Sequence, residues 1–581
     1  MIARAKQFFH EAWEAYSRRP FAALLRVFIG RVFHGSGDLG ASEMDVALGV
    51  VLILLAMPGV LVCLLLFEKY SSLVRWMRGD GAFDPFVATI PDEYFFIVLS
   101  MVVTGAAAVW RWDALFLDRR DYSNIVPLPI SLHRIFLGNL CAIFLLAVVL
   151  TFDVNAASLV LFPVVVVGSQ DSLSLLIRFG VGHAVTVILA SAFSFFAVFA
   201  LIGLLMAILP STLFRRISLY VRFLIALFFI ALLATSFAVT SFLGQLARMS
   251  KVAVNLLPPV WFLGIGQTLW GNGRNPFFRE MTRSALWALG ISLAVAVFSY
   301  TLSFRRSFVR LPETAEVGPL PRSQFRWLPV NLFDRILLHD PRQRACFHFI
   351  TRTLLRSEAH LQIASAFAAM ALVVSAQSVA SAFQNRAVVH FRSPSEDLLS
   401  VPFILGFCVI VGIRLTFEVP SDLRANWVFA LWIDPNTLQT RPVARKVLLS
   451  FALAPLAPMC LLSSWLLWGF STALLHTAIL IACTVALVES LLLRFRKIPF
   501  TCSYPHFQSH SALIFVAYLF GFVLFTGYLP ELELWSLADP WRAALFIPLV
   551  AVILLSIHFY RKQMLEMDKQ LIFEEISASD F

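Results

Sequence analysis

What the chain lacks narrows its class fastest. Only seven lysines occur in 581 residues, and none follows a glycine: they come after Ala5, Glu68, Ser250, Arg445, Arg496, Arg561 and Asp568. A P-loop cradles phosphate on glycine-rich backbone ending in Gly-Lys-Ser/Thr, so this chain carries none. Charged residues make up 14% of the sequence, where soluble proteins average about 25%. With no soluble basic domain to host it, the net charge of +11 does not point to nucleic acid. The seven cysteines (63, 141, 346, 408, 460, 483 and 502) contain no CxxC pair, so neither a zinc ribbon nor a disulfide framework is expected. G-x-S-x-G and HExxH are also missing, and with them the usual hydrolase sites. No catalytic residue, cofactor or metal is expected. The N-terminal stretch MIARAKQFFHEAWEAYSRRPFAALLRVF has no apolar run ending in a small-residue cleavage site. It reads as an uncleaved amphipathic helix on the cytosolic face.

What remains is hydrophobic. Apolar residues fill 59% of positions, 56 of them Phe, and the mean hydropathy is +0.81. They come in blocks, which predicts an all-α polytopic membrane protein. A helix needs about 20 mostly apolar residues to cross the hydrocarbon core. Windows of that kind fall at 46–67, 94–110, 132–152, 182–209, 217–243, 284–304, 361–382, 402–416, 447–468, 470–492, 511–529 and 541–560. They predict twelve spans in two six-helix halves, 1–304 and 361–581, joined by an arginine-rich cytosolic connector over 305–360. The eighth window is short, so its helix is expected to continue past Arg414, with that side chain snorkelling. Residues 154–168, apolar but interrupted by Pro163, fit a re-entrant piece, an interfacial piece or an extension of the third helix.

Loop charge orients the layout. With the N-terminus in the cytosol, Arg4, Lys6, Arg18, Arg19, Arg119, Arg120, Arg134, Arg215, Arg216 and the ten arginines of the connector all fall inside. Asp80, Asp84, Asp92 and Glu93, and later Glu531, Glu533 and Asp539, fall in outside loops. The expected site is a bacterial inner membrane, with both termini cytoplasmic. One outside loop, 244–283, breaks the charge rule and contains NLLPPVWFLGIGQTLWGN. Such backbone persists at membrane depth only under protein cover, so a re-entrant or interfacial hairpin broken at Pro258 and Pro259, with Trp261 in it, is expected.

Two cytosolic bridges stand out. The first, Trp110–Leu140, reads WRWDALFLDRRDYSNIVPLPISLHRIFLGNL; the second, from Arg414, reads RLTFEVPSDLRANWVFALWIDPNTLQTRPVARKVLL. Each is charged, contains proline, and follows the second span of its half. Ser131 suits a helix N-cap.

Few ionisable residues fall in the windows, and each is a candidate. Glu489 is expected to pair with Arg494 or another helix, or else to serve a proton or substrate site. Arg222 is expected to snorkel. Asp153, Asn155 and His183 are expected near the outer ends of spans three and four. Cys502, His506 and His510 have helix-face spacing for a metal, but Pro505 interrupts them. The paired mid-membrane carboxylates of a proton-driven carrier are not evident.

The words D-x-x-N-I-V-P-L-P-I-S-x-x-R-I-F-L-G-N-L over Asp121–Leu140 resemble the bridge of type-2 ABC exporter permeases. The run LPPVWFLGIGQTLWG, Leu257–Gly271, is similar to the loop between their fifth and sixth spans. Family members usually carry six spans per chain, with ATPases on separate or fused domains. The resemblance therefore implies two fused permease halves, a separate ATP-binding ATPase as partner and re-entrant helices at 244–283. It also implies coupling contacts at Asp121, Asn124, Pro127, Pro129, Ser131 and Arg134, with a second, weaker set at Asp422, Asn426, Trp427 and Arg441. The substrate is not readable. Rival expectations are an ion-coupled secondary transporter and a membrane enzyme acting on lipid-linked substrates.

Overall fold

In the computed structural model, the described residues are 20–34, 41–71, 85–110, 127, 130–167, 172–249, 257–272, 276–310, 340–384, 393–421, 441–493, 495, 497–501 and 516–567. Among them the protein is helical, with no strand. The helices are α1 (Pro20–His34), α2 (Ala41–Tyr70), α3 (Pro85–Trp110), α4 (Leu132–Val167), α5 (Leu173–Ile208), α6 (Ser211–Met249), α7 (Pro258–Gln267) and α8 (Pro276–Arg310). They continue as α9 (Pro341–Arg356), α10 (Glu358–Gln384), α11 (Glu396–Thr416), α12 (Arg441–Trp468) and α13 (Phe470–Leu491). A helix over 516–523 then passes through a π turn, Leu524–Tyr528, into α14 (Leu529–Leu537), which precedes α15 (Pro540–Met567).

Nine helices among the described residues are long and apolar enough to cross a membrane. They cover nine of the twelve apolar windows; the other three, 46–67, 511–529 and 541–560, also fall on or mostly on helix. Side chains such as Leu65 on α2 and Leu466 on α12 are 74% and 85% exposed. In water that much uncovered apolar surface is costly, so these faces fit lipid.

Local signals place the helix ends. Pro258 and Pro341 occupy first turns, where a missing N–H costs nothing. Ser172 and Ser395 cap α5 and α11 by accepting from the backbone N–H of Leu175 and Leu398. Gly469 separates α12 from α13 at φ +93°, a conformation that favours glycine.

The run 154–168 takes one of its three expected forms, the extension of the third helix: α4 carries through Pro163 to Val167. Apolar membrane helices tolerate such a proline when neighbours re-satisfy the freed carbonyl. The eighth span gains its length at the other end from the one expected. α11 starts at Glu396 and stops at Thr416, and the Arg414 side chain is only 14% exposed.

The contacts divide the chain into two compact units, Met1–Ser218 with Phe228–Leu320, and Leu219–Leu227 with Pro321–Phe581. The boundary after Leu320 falls inside the connector, whose helix α9 packs on α10 and α12 of the second unit. The first unit's core gathers Tyr70, Phe96, Phe162, Phe179, Phe262 and Trp270. The second has one core around Phe417, Phe495 and Phe500 and another around Phe403, Phe407 and Phe525.

Candidate functional site

Of the coupling residues expected on the first bridge, the structure describes Pro127, Ser131 and Arg134, all exposed. The Ser131 carbonyl accepts from the N–H groups of Arg134 and Ile135, so Ser131 stands at the start of α4. Behind it, α4 is held in place. Asn139 Nδ2 donates to Tyr300 Oη of α8 (2.7 Å), both side chains being buried, and the Tyr300 ring stacks 5.0 Å from Phe136. Gly138 lets the Phe28 ring of α1 approach closely; a Cβ there would sit 3.2 Å from it. Asp121, Asn124 and Pro129 lie outside the described residues, as do Asp422, Asn426, Trp427, Arg494, Cys502, His506, His510 and the side chain of Arg441.

The departure point of the second bridge is described in detail. Glu418, two residues past α11, accepts from Arg414 and from Lys497, whose side chain is 6% exposed. Burial pushes the Glu418 carboxyl up, but Arg414 and Lys497 together outweigh it and hold the group below its ordinary range. Arg414 also donates from Nε to the Leu491 carbonyl (3.3 Å) and lies 4.6 Å over the Phe495 ring. Next to this clamp, Phe500 is fully buried at φ +69°, a strained backbone conformation for a bulky residue. Its ring meets His360 at 4.4 Å and Phe417 at 5.6 Å, and its carbonyl accepts from the Ser421 N–H (3.0 Å). His360 Nε2 donates to the Val419 carbonyl (2.8 Å). On the return side, Arg445 Nε lies 2.7 Å from Glu489 Oε1, and Lys446 donates to Gln343 Oε1 of α9 (2.8 Å). Glu489 thus pairs across helices, with Arg445. Arg414 does not snorkel, because Glu418 gives it a partner inside. Arg222 does not reach solvent either: it is 4% exposed and donates to Gln362 Oε1 (3.3 Å) within the second unit.

A third set of residues was misplaced by the sequence reading. Glu93 and Glu533, expected in outside loops, are 1% and 0% exposed. α3 begins at Pro85, about two turns ahead of the apolar window, and carries Asp92 and Glu93 on different faces. Asp92 pairs with Lys69 of α2 (2.7 Å), whereas Glu93 turns inward.

In the first unit Glu93 Oε2 accepts from Gln267 Nε2, the last residue of α7, at 3.0 Å. Gly266 makes this approach possible: a Cβ there would lie 1.9 Å from Glu93 Oε1 and 2.9 Å from Thr186 Oγ1. Glu93 belongs to a buried stripe on α3, Thr89, Glu93, Phe96, Ser100 and Thr104, at helical three- and four-residue spacing. Further along it, Ser100 donates to Asn155 Oδ1 of α4 (2.5 Å), and Asn155 Nδ2 donates to the Thr151 carbonyl (2.8 Å) and to Ser191 Oγ of α5 (3.4 Å). Asn155 and Asp153 thus lie within the length of α4, which runs on to Val167. His183 is 1% exposed, with its ring 4.9 Å from Phe162 and 5.7 Å from Phe96 and no hydrogen bond to either nitrogen.

The second unit buries its acid differently. Glu533 Oε1 of α14 lies 2.6 Å from His476 Nδ1 of α13, with the imidazole 5.8 Å from the Phe403 ring. An imidazole can carry a full compensating charge, and a glutamine amide cannot.

α7 and α14 correspond. Each is a short helix with proline in its first turn, adjoins a π turn (Thr268–Asn272 after α7, Leu524–Tyr528 before α14), and precedes the last long helix of its unit. Each presents a polar side chain to a buried acid or histidine. Pro258 and Pro259 therefore start a helix instead of breaking one, with Pro259 buried and Trp261 partly so. Leu257-Pro258 and Leu529-Pro530 are the residues that could have revealed the pairing in the sequence. Among the described residues, no three His, Cys, Asp or Glu gather as a metal site.

These features define a class: an all-helical polytopic membrane protein with a polar cluster inside each unit. No family model, curated protein or solved structure matches the chain.

Proposed function

We propose that the chain is the membrane subunit of an ABC-type exporter, moving its substrate with ATP hydrolysed by a separate partner ATPase. On this reading there are twelve spans in two fused permease halves, set in a bacterial inner membrane with the bridges and both termini in the cytosol. The observation that carries it is the matched pair α7 and α14: one short, proline-started helix with a π turn before the last long helix of each unit. That is the position where the resemblance implies re-entrant helices, and the second half repeats it. The bridges suit a receiver of force. The first runs into α4, pinned by Asn139 and Tyr300; the second leaves from the Glu418 clamp and returns beside Arg445 and Glu489. Rigid attachment at these points passes a push on the loop into the helices rather than absorbing it.

The buried carboxylates, Glu93 in the first unit and Glu489 and Glu533 in the second, favour a second reading, an ion-coupled secondary transporter, because intramembrane acids mark ion pathways. Purification of the full chain from its native membrane separates the two. The ABC reading expects a P-loop ATPase to co-purify, and Asp121→Ala with Arg134→Ala to lower its ATP turnover in the complex. Transport that persists without any ATPase and collapses with the proton gradient contradicts it.

A further inference from the structure

Glu93 and Gln267 form an incomplete pair. The amide N–H of Gln267 reaches Glu93 Oε2, and the other oxygen of each group, Glu93 Oε1 and Gln267 Oε1, is buried with no hydrogen-bond partner. Two acceptors on one already joined pair lack a donor. A single proton on Glu93 Oε1 corrects both faults: it turns that oxygen into a donor, and the nearest group already joined to the carboxyl offers the free acceptor. The result is the two-hydrogen-bond ring that a carboxylic acid forms with a primary amide. It also removes a buried negative charge that no cation meets.

We propose that Glu93 is a proton-binding site, holding one proton shared with Gln267 while α7 is seated on α3. Loss of the proton leaves two buried acceptors without a donor and an uncompensated charge, and so favours unseating of α7.

The groups around it agree. On α3 itself, Asp92 is already satisfied by Lys69 and Tyr70 Oη, and Tyr94 is neutral. α2 contributes that same Lys69, with Glu68, Tyr70 and Cys63. α4 contributes Asp153, whose Oδ2 is likewise buried without a partner, and α5 contributes His183 and Arg178, the latter bonded to the Leu269 carbonyl. α7 carries no ionisable residue. Among the described residues no cation is bonded to Glu93, and neither nitrogen of His183 has a hydrogen-bond partner.

The test is infrared spectroscopy of the full purified chain in H2O and D2O near neutral pH, comparing wild type with Glu93→Gln. Wild type is expected to show a carboxylic-acid carbonyl band that shifts in D2O and is absent from E93Q. Loss of only a carboxylate band in E93Q overturns the proposal. Gln267→Leu should move the acid band, because one hydrogen bond is lost; an unmoved band overturns the pairing. Should E93Q not fold, wild type alone decides: the band must persist above pH about 5, where an ordinary glutamate has lost its proton, and its disappearance there overturns the site. A melting temperature that rises with sodium at constant ionic strength in wild type but not in E93Q assigns a metal cation to these oxygens and contradicts the proton.

Discussion

In the first unit a buried glutamate meets an amide, and in the second a buried glutamate meets an imidazole. Glu93 and Glu533 are equally shielded from water, and each touches a short proline-started helix or lies on one. Yet the surroundings answer the same desolvation problem differently. Around Glu93 lie neutral dipoles: Gln267, Thr186, and a ladder of Ser100, Asn155 and Ser191. The second unit sets basic side chains against its acids, His476 at Glu533, Arg445 at Glu489, and Arg414 with Lys497 at Glu418. Neutral dipoles leave a buried carboxylate uncompensated, whereas an imidazole beside it can meet its charge. On the proposal above, the first unit answers with a proton on its acid and the second with a basic side chain.

The largest effect should come from breaking an ion pair in the second unit. His476→Leu leaves Glu533 buried without its partner, a situation that costs about 3–5 kcal/mol. Thermal unfolding of the full chain in detergent should show that loss, and the double variant His476→Leu with Glu533→Leu should recover much of it, since an apolar pair needs no compensation. If both variants are equally unstable, packing and not charge holds this point.

Glu418 sharpens the comparison through pH. Its folded-state carboxyl is held below the ordinary range by Arg414 and Lys497. A carboxyl depressed in this way adds stability that is complete above its unfolded value, about pH 4.3, and is lost as pH falls through the lower folded value. Glu418→Gln should cost stability near neutral pH, by about 1–3 kcal/mol as for a charged hydrogen bond removed. The gap to wild type should close in acid. A constant gap contradicts the pairing.

The sequence made the apolar helices legible because bilayer-length hydrophobic runs need no tertiary context. Their ends were less so. Pro163 left 154–168 open between three forms, of which α4 takes the extended helix, and an apolar window starting at 94 left out 85–93, the first turns of α3. That single boundary hid Glu93. The signal was present as Thr89, Glu93, Ser100 and Thr104 at helical spacing, but a window-based reading counts polar residues against a span instead of asking whether they share a face. The partners Gln267 and His476 could not be found from the sequence, since they lie 174 and 57 residues from the acids they meet. The polar character of Asn155 and His183 was legible, and their burial among neighbouring helices was not.

The most direct measurement sets Glu93→Gln beside Glu533→Gln, with unfolding of the full chain followed near neutral pH. At position 93 a carboxamide supplies the N–H that Gln267 Oε1 lacks and keeps the acceptor that Gln267 Nε2 uses, so it reproduces the neutral acid. At position 533 it removes the charge that His476 meets. The account predicts that E93Q stays within about 1 kcal/mol of wild type, the worth of one ordinary hydrogen bond, while E533Q loses several times as much. Equal losses at the two positions would contradict it.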